Sequence, residues 1–349
     1  MRGTEGRSLE NLQEDLDKYP VAESGETANQ VPIIDVSAVV TEATSQEARE
    51  AVDAIAAACR DWGFFQVINH GVQEDLLDRT WLQTRSFFAQ PATAKKALIR
   101  TRANPWGYYN NELTKNQRDK KEVFDFTTDG RDPIYGAENR WPDADDGFSQ
   151  TMREFRDACT ELGLALLEAF CVGLELPAGS MRADFATNHT GFIRLNHYPV
   201  DDPLGGPEVT QLPEADLGVH HHSDAGALTV LLQDDVGGLQ VFKNGYWHNV
   251  VPVPGAFVIN TGDMMQVWSN DIYQAAVHRV LAMKQKDRYS IPFFFNPSAA
   301  TIVEPLTSVI SPQRPPRYAP IQWSEFRGKR TDGDYADYGA EVQIAQYRL

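Results

Sequence analysis

From Gly191 onward the chain breaks into short apolar runs, each ended by turn-forming residues, and this rhythm restricts the fold more than any other feature. The runs fall at 191–199, 228–232, 239–242, 247–253, 257–260, 264–268, 276–283 and 289–296. Between them stand Asp235-Val236-Gly237-Gly238, Asn244-Gly245, Pro254-Gly255, Gly262-Asp263 and Ser269-Asn270. Glycine and asparagine reach the left-handed backbone region and proline presets φ, so each cluster reverses the chain with little strain. Many short strands closed in this way predict a β-sandwich or jelly roll.

The first half follows a different period. An apolar strand at 31–36 leads to Ser45, which is placed as an N-cap with Glu47 and Glu50 behind it, opening a helix through Ala51, Ile55 and Cys59. Trp62-Gly63 ends that helix, and 64–71 reads as a strand closing in a turn at Asn69-His70-Gly71, where His70 is expected to be structural. Helices are expected at 73–88 and after Pro91. Between 149 and 174, Met152, Phe155, Cys159, Leu162, Leu166, Leu167 and Phe170 recur at spacings of three and four, as one buried helix face requires. Residues 104–146 read as an irregular, aromatic-rich segment. Weak structure signals follow Pro305, and the first thirty residues read as a mobile polar tail. The expected class is α+β, a jelly-roll core (double-stranded β-helix) backed by helices. The expected division is 1–30 tail, 31–180 helical region, 181–305 catalytic core and 306–349 C-terminal extension. With 42% hydrophobic and 10% aromatic residues, 349 residues suffice for a substantial core.

Within the stranded half, three pairs share an i, i+2 spacing: His222/Asp224, Arg288/Ser290 and Asn196/Tyr198. In extended chain each pair points to one side. His222 and Asp224, joined by His278 from a distant strand, make a 2-His-1-carboxylate set, the ligand pattern of non-haem Fe(II) oxygenases. Arg288, Ser290 and Tyr198 make an anion clamp: a guanidinium grips a carboxylate through two parallel hydrogen bonds and a hydroxyl adds a third. Taken singly, each has a plainer reading. An HxD pair arises by chance, His278 fits a core histidine, and Arg-x-Ser is weaker still. His220 shares the face of His222 if the strand extends that far, and His221 points away.

The order and surroundings of these residues resemble the Fe(II)/2-oxoglutarate-dependent oxygenases of the isopenicillin N synthase-like group. The resemblance covers roughly 31–300, through 31–35, 63–72, Asn196-His197-Tyr198-Pro199, 222–231, Gly238-Leu239-Gln240-Val241, Asn260-Thr261-Gly262-Asp263, Trp268-Ser269-Asn270, Val277-His278-Arg279-Val280 and Arg288-Tyr289-Ser290. It implies that His222, Asp224 and His278 hold Fe(II). Arg288, Ser290 and Tyr198 would bind the distal carboxylate of 2-oxoglutarate, with Asn196 near its iron-binding end. It further implies dioxygen as oxidant, ascorbate as a candidate reductant, and oxidation of a small organic metabolite with release of succinate and CO2. The outcome could be hydroxylation, desaturation or ring closure. By the same resemblance the substrate pocket draws on Tyr108, Tyr109, Phe124, Phe126 and Phe294 and the C-terminal segment, with His220 at its border. Ser223 stands where the family more often has Thr. Rival readings are a family oxidase that holds a substrate carboxylate in place of 2-oxoglutarate, a zinc hydrolase on the same ligands, and a binding module without chemistry.

Other features bound the partners. A net charge of −17 argues against a nucleic-acid backbone. Three cysteines without CxxC spacing argue against a disulfide framework and for a reducing cytoplasm. The first thirty residues carry acidic groups at Glu10, Glu14, Asp15, Asp17, Glu23 and Glu26, among others, and no apolar stretch, unlike a signal peptide. The most apolar long stretch, 162–174, contains Glu168 and is too short to span a bilayer. No membrane and no obligate protein partner are expected.

Overall fold

The computed structural model describes residues 16–22, 30–41, 45–114, 117–143, 146–186, 188–204, 217–333 and 342–349. Its helices are α1 Ser37–Thr41, α2 Gln46–Asp61, α3 Glu74–Phe88, α4 Ala92–Ala97, α5 Phe148–Gly173, α6 Arg182–Phe185, α7 Asp263–Trp268 and α8 Trp323–Gly333. Ser45 caps α2 as expected, its hydroxyl accepting the Ala48 amide at 3.0 Å. The helix stops where it must: Gly63 sits at φ +61°, and a Cβ there would lie 2.1 Å from the Gln274 carbonyl oxygen. On α5 the expected stripe from Met152 to Phe170 is buried. Each aromatic or branched side chain so buried contributes about 1.5–3 kcal/mol.

The strands are β1 Ile33–Asp35, β2 Phe64–Ile68, β3 Gly107–Tyr109, β4 Leu113–Thr114, β5 Gln117–Arg118, β6 Glu122–Thr127, β7 Phe192–Tyr198 and β8 Leu217–His222, then β9 Leu228–Gln233, β10 Leu239–Lys243, β11 Tyr246–Asn249, β12 Phe257–Thr261, β13 His278–Leu281, β14 Arg288–Phe295, β15 Ile302–Val303 and β16 Ile321–Gln322. Eight form one sheet in the order β1-β2-β12-β9-β14-β7-β6-β3, and four form a second, β11-β10-β13-β8. Alternation divides the large sheet into two faces. Val230, Leu232, Phe257, Ile259, Phe124 and Phe126 share a core with α2, α3 and α5. Phe64, Tyr198, Leu231 and Val258 share another with Val219, Leu239, Val241 and Val280 of the small sheet. Two sheets face to face, with helices behind the larger, make the α+β jelly roll anticipated from the strand rhythm.

Four local expectations are corrected. Residues 264–268 form α7 rather than a strand. The Gly262, Asp263 and Met264 amides donate to the carbonyls of Ala227, Asp224 and Gly226 at 2.9, 2.8 and 3.0 Å, which turns the chain into a helix as it leaves β12. The short apolar run alone fits either state. The 104–146 segment is not irregular throughout, since β3 and β6 complete the large sheet and all six β6 residues are buried. The described part of the C-terminal segment, 306–333 and 342–349, packs onto the core: Trp323, Phe326 and Tyr318 are core residues, and Asp271 accepts hydrogen bonds from Tyr318, Arg317 and Arg348 at 2.5, 2.9 and 2.9 Å. Finally, part of the expected tail docks. Leu16 is buried, its carbonyl accepts the Trp247 indole N–H at 2.8 Å, and the Tyr19 ring meets Phe242 edge-on. The remainder of that tail, 1–15 and 23–29, lies outside the described residues.

Candidate metal centre and co-substrate cradle

His222 is the last residue of β8, and its partner across the ladder is His278, the first of β13. Between this pair and the next, Val280 opposite Val219, β8 carries one more residue than β13. Such a bulge re-aims side chains, so strict alternation fails between Val219 and His222. The His222 and His278 Nδ1 atoms donate to the carbonyls of His220 and Ala276 at 2.7 and 3.0 Å. Each Nε2 is thereby left as a lone pair, and both lie 3.6 Å from Asp224 Oδ1. Asp224 Oδ2 is committed elsewhere, accepting the Thr229 hydroxyl at 2.5 Å and the Asn260 amide at 2.7 Å. One ligand atom from each residue therefore faces a common point, all within 4.8 Å of one another. Hydrogen bonds that orient each ligand are what a metal site requires.

Electrostatics agree with the geometry. Burial, reinforced by the His278 imidazole, pushes the His222 pKa down to about 3, so the ring is neutral and able to ligate. Burial alone would push the Asp224 carboxyl up, but the His278 and His222 imidazoles and the two hydrogen bonds outweigh it and hold the group below its usual range. Two imidazoles that each turn Nε2 to a common point with one carboxylate oxygen form a donor set suited to a divalent iron.

The second anticipated cluster lies on the inner face of the large sheet. Arg288 stands opposite Tyr198, and Ser290 opposite Asn196, across the β14–β7 ladder. All four are nearly inaccessible. The Arg288 guanidinium lies 4.9 Å from the Tyr198 ring centre, with Nη1 3.2 Å from the Ser290 hydroxyl and Nη2 3.4 Å from Gln233 Oε1. Arg288 Nε, Asn196 Oδ1 and Gln233 Nε2 are buried without a hydrogen-bond partner among the described residues. A buried guanidinium with donors to spare and no carboxylate beside it fits an incoming carboxylate.

Beyond the three histidine and aspartate ligands opens a cavity of about 120 Å³, lined in part by Phe294, Val219, Arg194, Trp323, Arg327 and Arg330. Phe294, anticipated for the substrate pocket, lines this cavity, and Tyr108, Tyr109, Phe124 and Phe126 do not. Tyr108, Phe124 and Phe126 project from the opposite face of the large sheet, into the helix-side core with Phe87 and Phe148. Tyr109 is on the inner face but lies beneath Arg100, 4.8 Å from its guanidinium, and does not line the cavity. His220 is tied to Asp119, 3.1 Å from Nδ1 to Oδ1, and also stays out of the cavity. His70 is structural as expected, with Nε2 on the Gly255 carbonyl at 2.7 Å.

Two family models match this chain: the 2OG-Fe(II) oxygenase superfamily over 189–297, and the N-terminal region described from a non-haem dioxygenase in morphine synthesis over 31–144. Jasmonate-induced oxygenase 2 of Arabidopsis thaliana is 32% identical over 328 residues, 93% of this chain and 85% of the relative. The chain belongs to the 2OG-Fe(II) oxygenases. Among solved structures, JOX2 in complex with 2OG, Fe and JA superimposes with a TM-score of 0.73 at 30% identity, covering 89% of this chain and 88% of that one. A full-length Neurospora crassa protein in complex with alpha-KG and 5-formyluracil gives 0.75 at 28% identity, covering 88% of this chain and 98% of that one. The oxygenase therefore uses Fe(II) and 2-oxoglutarate to oxidise a small organic molecule.

Several residues of the oxygenase site escaped the sequence reading. Arg194 was within reach, because the alternation that pairs Asn196 with Tyr198 leads one step back to it. Asn296 extends the Arg288–Ser290 series of β14 in the same way. Glu112 and Lys121 carry no such signal. They belong to a buried ion cluster in which Arg194 meets Glu112 and Asp125 at 2.8 Å, Lys121 meets Glu112 at 2.7 Å, and Arg100 bridges the two carboxylates.

Proposed function

We propose that His222, Asp224 and His278 hold the iron of this dioxygenase. In the same proposal Arg288, Ser290 and Tyr198 bind the distal carboxylate of 2-oxoglutarate, with Asn196 beside its iron-binding end. The observation carrying this assignment is that a complete ligand set and a buried, carboxylate-free arginine open onto one inner face of the jelly roll. When bound, iron and 2-oxoglutarate supply an oxidant for a C–H bond, with the co-substrate leaving as succinate and CO2. The chain's own part is orientation and exclusion of water. Thr229 and Asn260 hold Asp224 to one free oxygen. The backbone carbonyls of His220 and Ala276 keep protons on the far nitrogens of the ligand rings. The Phe64 ring, 5.4 Å from that of His278, buttresses one ligand from the apolar side.

A free-carboxylate oxidase built on the same pair is the less favoured reading, because Arg288 has both Ser290 and Tyr198 arranged around it as a closed cradle. A cytoplasmic setting is also proposed, supported by three free, buried cysteines. No helix among the described residues is long and apolar enough to cross a membrane. The test is to load purified protein with Fe(II) and 2-oxoglutarate, then measure iron stoichiometry and succinate. His222→Ala and Asp224→Ala should lose iron and at least 100-fold of succinate formation, while His221→Ala keeps the metal. Iron retained in His222→Ala, or lost in His221→Ala, would overturn the ligand assignment.

A further inference from the structure

The cavity beside the metal ligands is lined by four cations, Lys121, Arg194, Arg327 and Arg330, against the carboxylates of Glu112 and Asp224. Three of the four are already engaged. Every donor group of the Arg194 fork meets Glu112 or Asp125. Lys121 sits between Glu112 and Asp119, at 2.7 and 3.2 Å. Arg330 acts as a strut, donating to the carbonyls of Ser223 at 3.0 Å and Val342 at 3.2 Å.

Arg327 is different. Among the described residues its guanidinium has neither a hydrogen bond nor an ion pair; it lies 4.8 Å from the Phe192 ring centre. Phe192 is itself stacked on Phe294, 4.7 Å away at 25°. Asp132, the acid that feels Arg327 through space, has its carboxyl engaged by the amides of Ile134 and Tyr135 at 2.9 and 2.8 Å. A guanidinium resting on an aromatic face keeps its in-plane N–H groups free, and that fork matches a carboxylate. His222 and Asp224 line the same cavity as Arg327.

We propose that the substrate of this oxygenase is an organic carboxylate whose acid group docks on Arg327, with its apolar body against Phe294 and Val219. The inference rests on the dioxygenase reading above and deepens it. It needs no second cation, and the 120 Å³ cavity limits the buried part to a small body; a slightly larger engineered apolar cavity takes a single benzene. The anion site is distinct from the 2-oxoglutarate cradle, since Arg288 and Arg327 stand on β14 and α8.

The experiment uses full-length, Fe(II)-loaded protein with saturating 2-oxoglutarate. Straight-chain C6–C10 carboxylates and phenyl-substituted short-chain carboxylates are compared with their primary amides for stimulation of succinate release. At least one acid should stimulate release severalfold, its amide by less than a tenth as much. Arg327→Gln should raise the half-saturating concentration of that acid 10-fold or more, and Arg327→Lys by less. The half-saturating 2-oxoglutarate concentration should move less than twofold in both. Thermal melting of each variant separates lost binding from lost folding. Acid and amide acting alike, no acid acting at all, or an Arg327→Gln variant with unchanged half-saturation would overturn the proposal. Absence of any succinate from the parent protein, with or without organic acid, would instead sink the dioxygenase reading.

Discussion

The proposed co-substrate cradle turns on one residue, Arg288. It is 1% exposed, and its guanidinium has no ion-pair partner among the described residues, with Nε lacking any hydrogen-bond partner there. A charge so buried and unpaired costs several kcal/mol unless something else stabilises it, and a bound dicarboxylate does so through two parallel hydrogen bonds. Lysine would keep the charge but lose the planar fork. Arg288→Lys is therefore expected to raise the 2-oxoglutarate KM at least 10-fold with iron content unchanged; a KM within twofold of the parent would show that the fork is not used. The pairs His222/Asp224, Arg288/Ser290 and Asn196/Tyr198 were legible in the sequence because i, i+2 residues of extended chain share a face, whereas His278 and the roles of all these residues were implied by the family resemblance. Tyr108, Phe124 and Phe126 were misplaced by neglect of that same rule. Glu122, Phe124 and Phe126 share one face of β6, and Lys95 reaches Glu122 on the helix side. His220 was misplaced for the opposite reason, because the bulge in β8 breaks the alternation that the sequence displays.

At the scale of elements, α8 was the hardest to see. Its sequence Trp-Ser-Glu-Phe-Arg-Gly-Lys-Arg has little apolar periodicity, because one side buries Trp323 and Phe326 while another turns Arg327 and Arg330 to the cavity. Only the structure joins it to the metal ligands, through Arg330 and the carbonyl of Ser223, the residue between His222 and Asp224. Whatever orders that loop must then also steady the helix, and the effect is reciprocal by linkage. Removing iron with a chelator should speed amide exchange across 323–331, and Arg330→Ala should lower iron affinity severalfold. Exchange in α8 that ignores chelation would rule out the coupling.

Across the whole molecule, stability should fall with pH in two stages. His189 is buried against Phe293 and Phe295, and desolvation pushes its pKa down to about 4. Burial lowers His70 as well. Below the unfolded histidine pKa near 6.5 the unfolded chain takes up these protons and the folded chain does not, so stability drops from about pH 6.5 towards 4. The second stage belongs to the ion cluster. Burial raises Glu112, but Arg194, Lys121 and Arg100 outweigh it and leave the carboxyl well below its usual range; Asp119 is lowered in a similar way. Depressed carboxylates contribute stability that is present above their unfolded pKa, near 4, and lost as pH falls through the folded value. Urea midpoints of the iron-loaded protein at pH 7.5, 5.5 and 3.5 should decline at both steps, the second one shrinking in Glu112→Gln. A midpoint unchanged from 7.5 to 5.5 would contradict the histidine stage.

The strand order of the large sheet also governs how the oxygenase comes into being. β2 pairs with β12, and β7 with β14, so neighbours in the sheet are separated by roughly 190 and 94 residues of chain. Such pairings must close long loops before any contact rewards them, which slows folding. Arg288 comes opposite Tyr198 only when β14 has closed on β7, and His278 comes opposite His222 only when β13 has paired with β8. A chain in which β8 and β13 have not yet paired therefore keeps His222 apart from His278, and the three-residue ligand set exists only once the small sheet has formed.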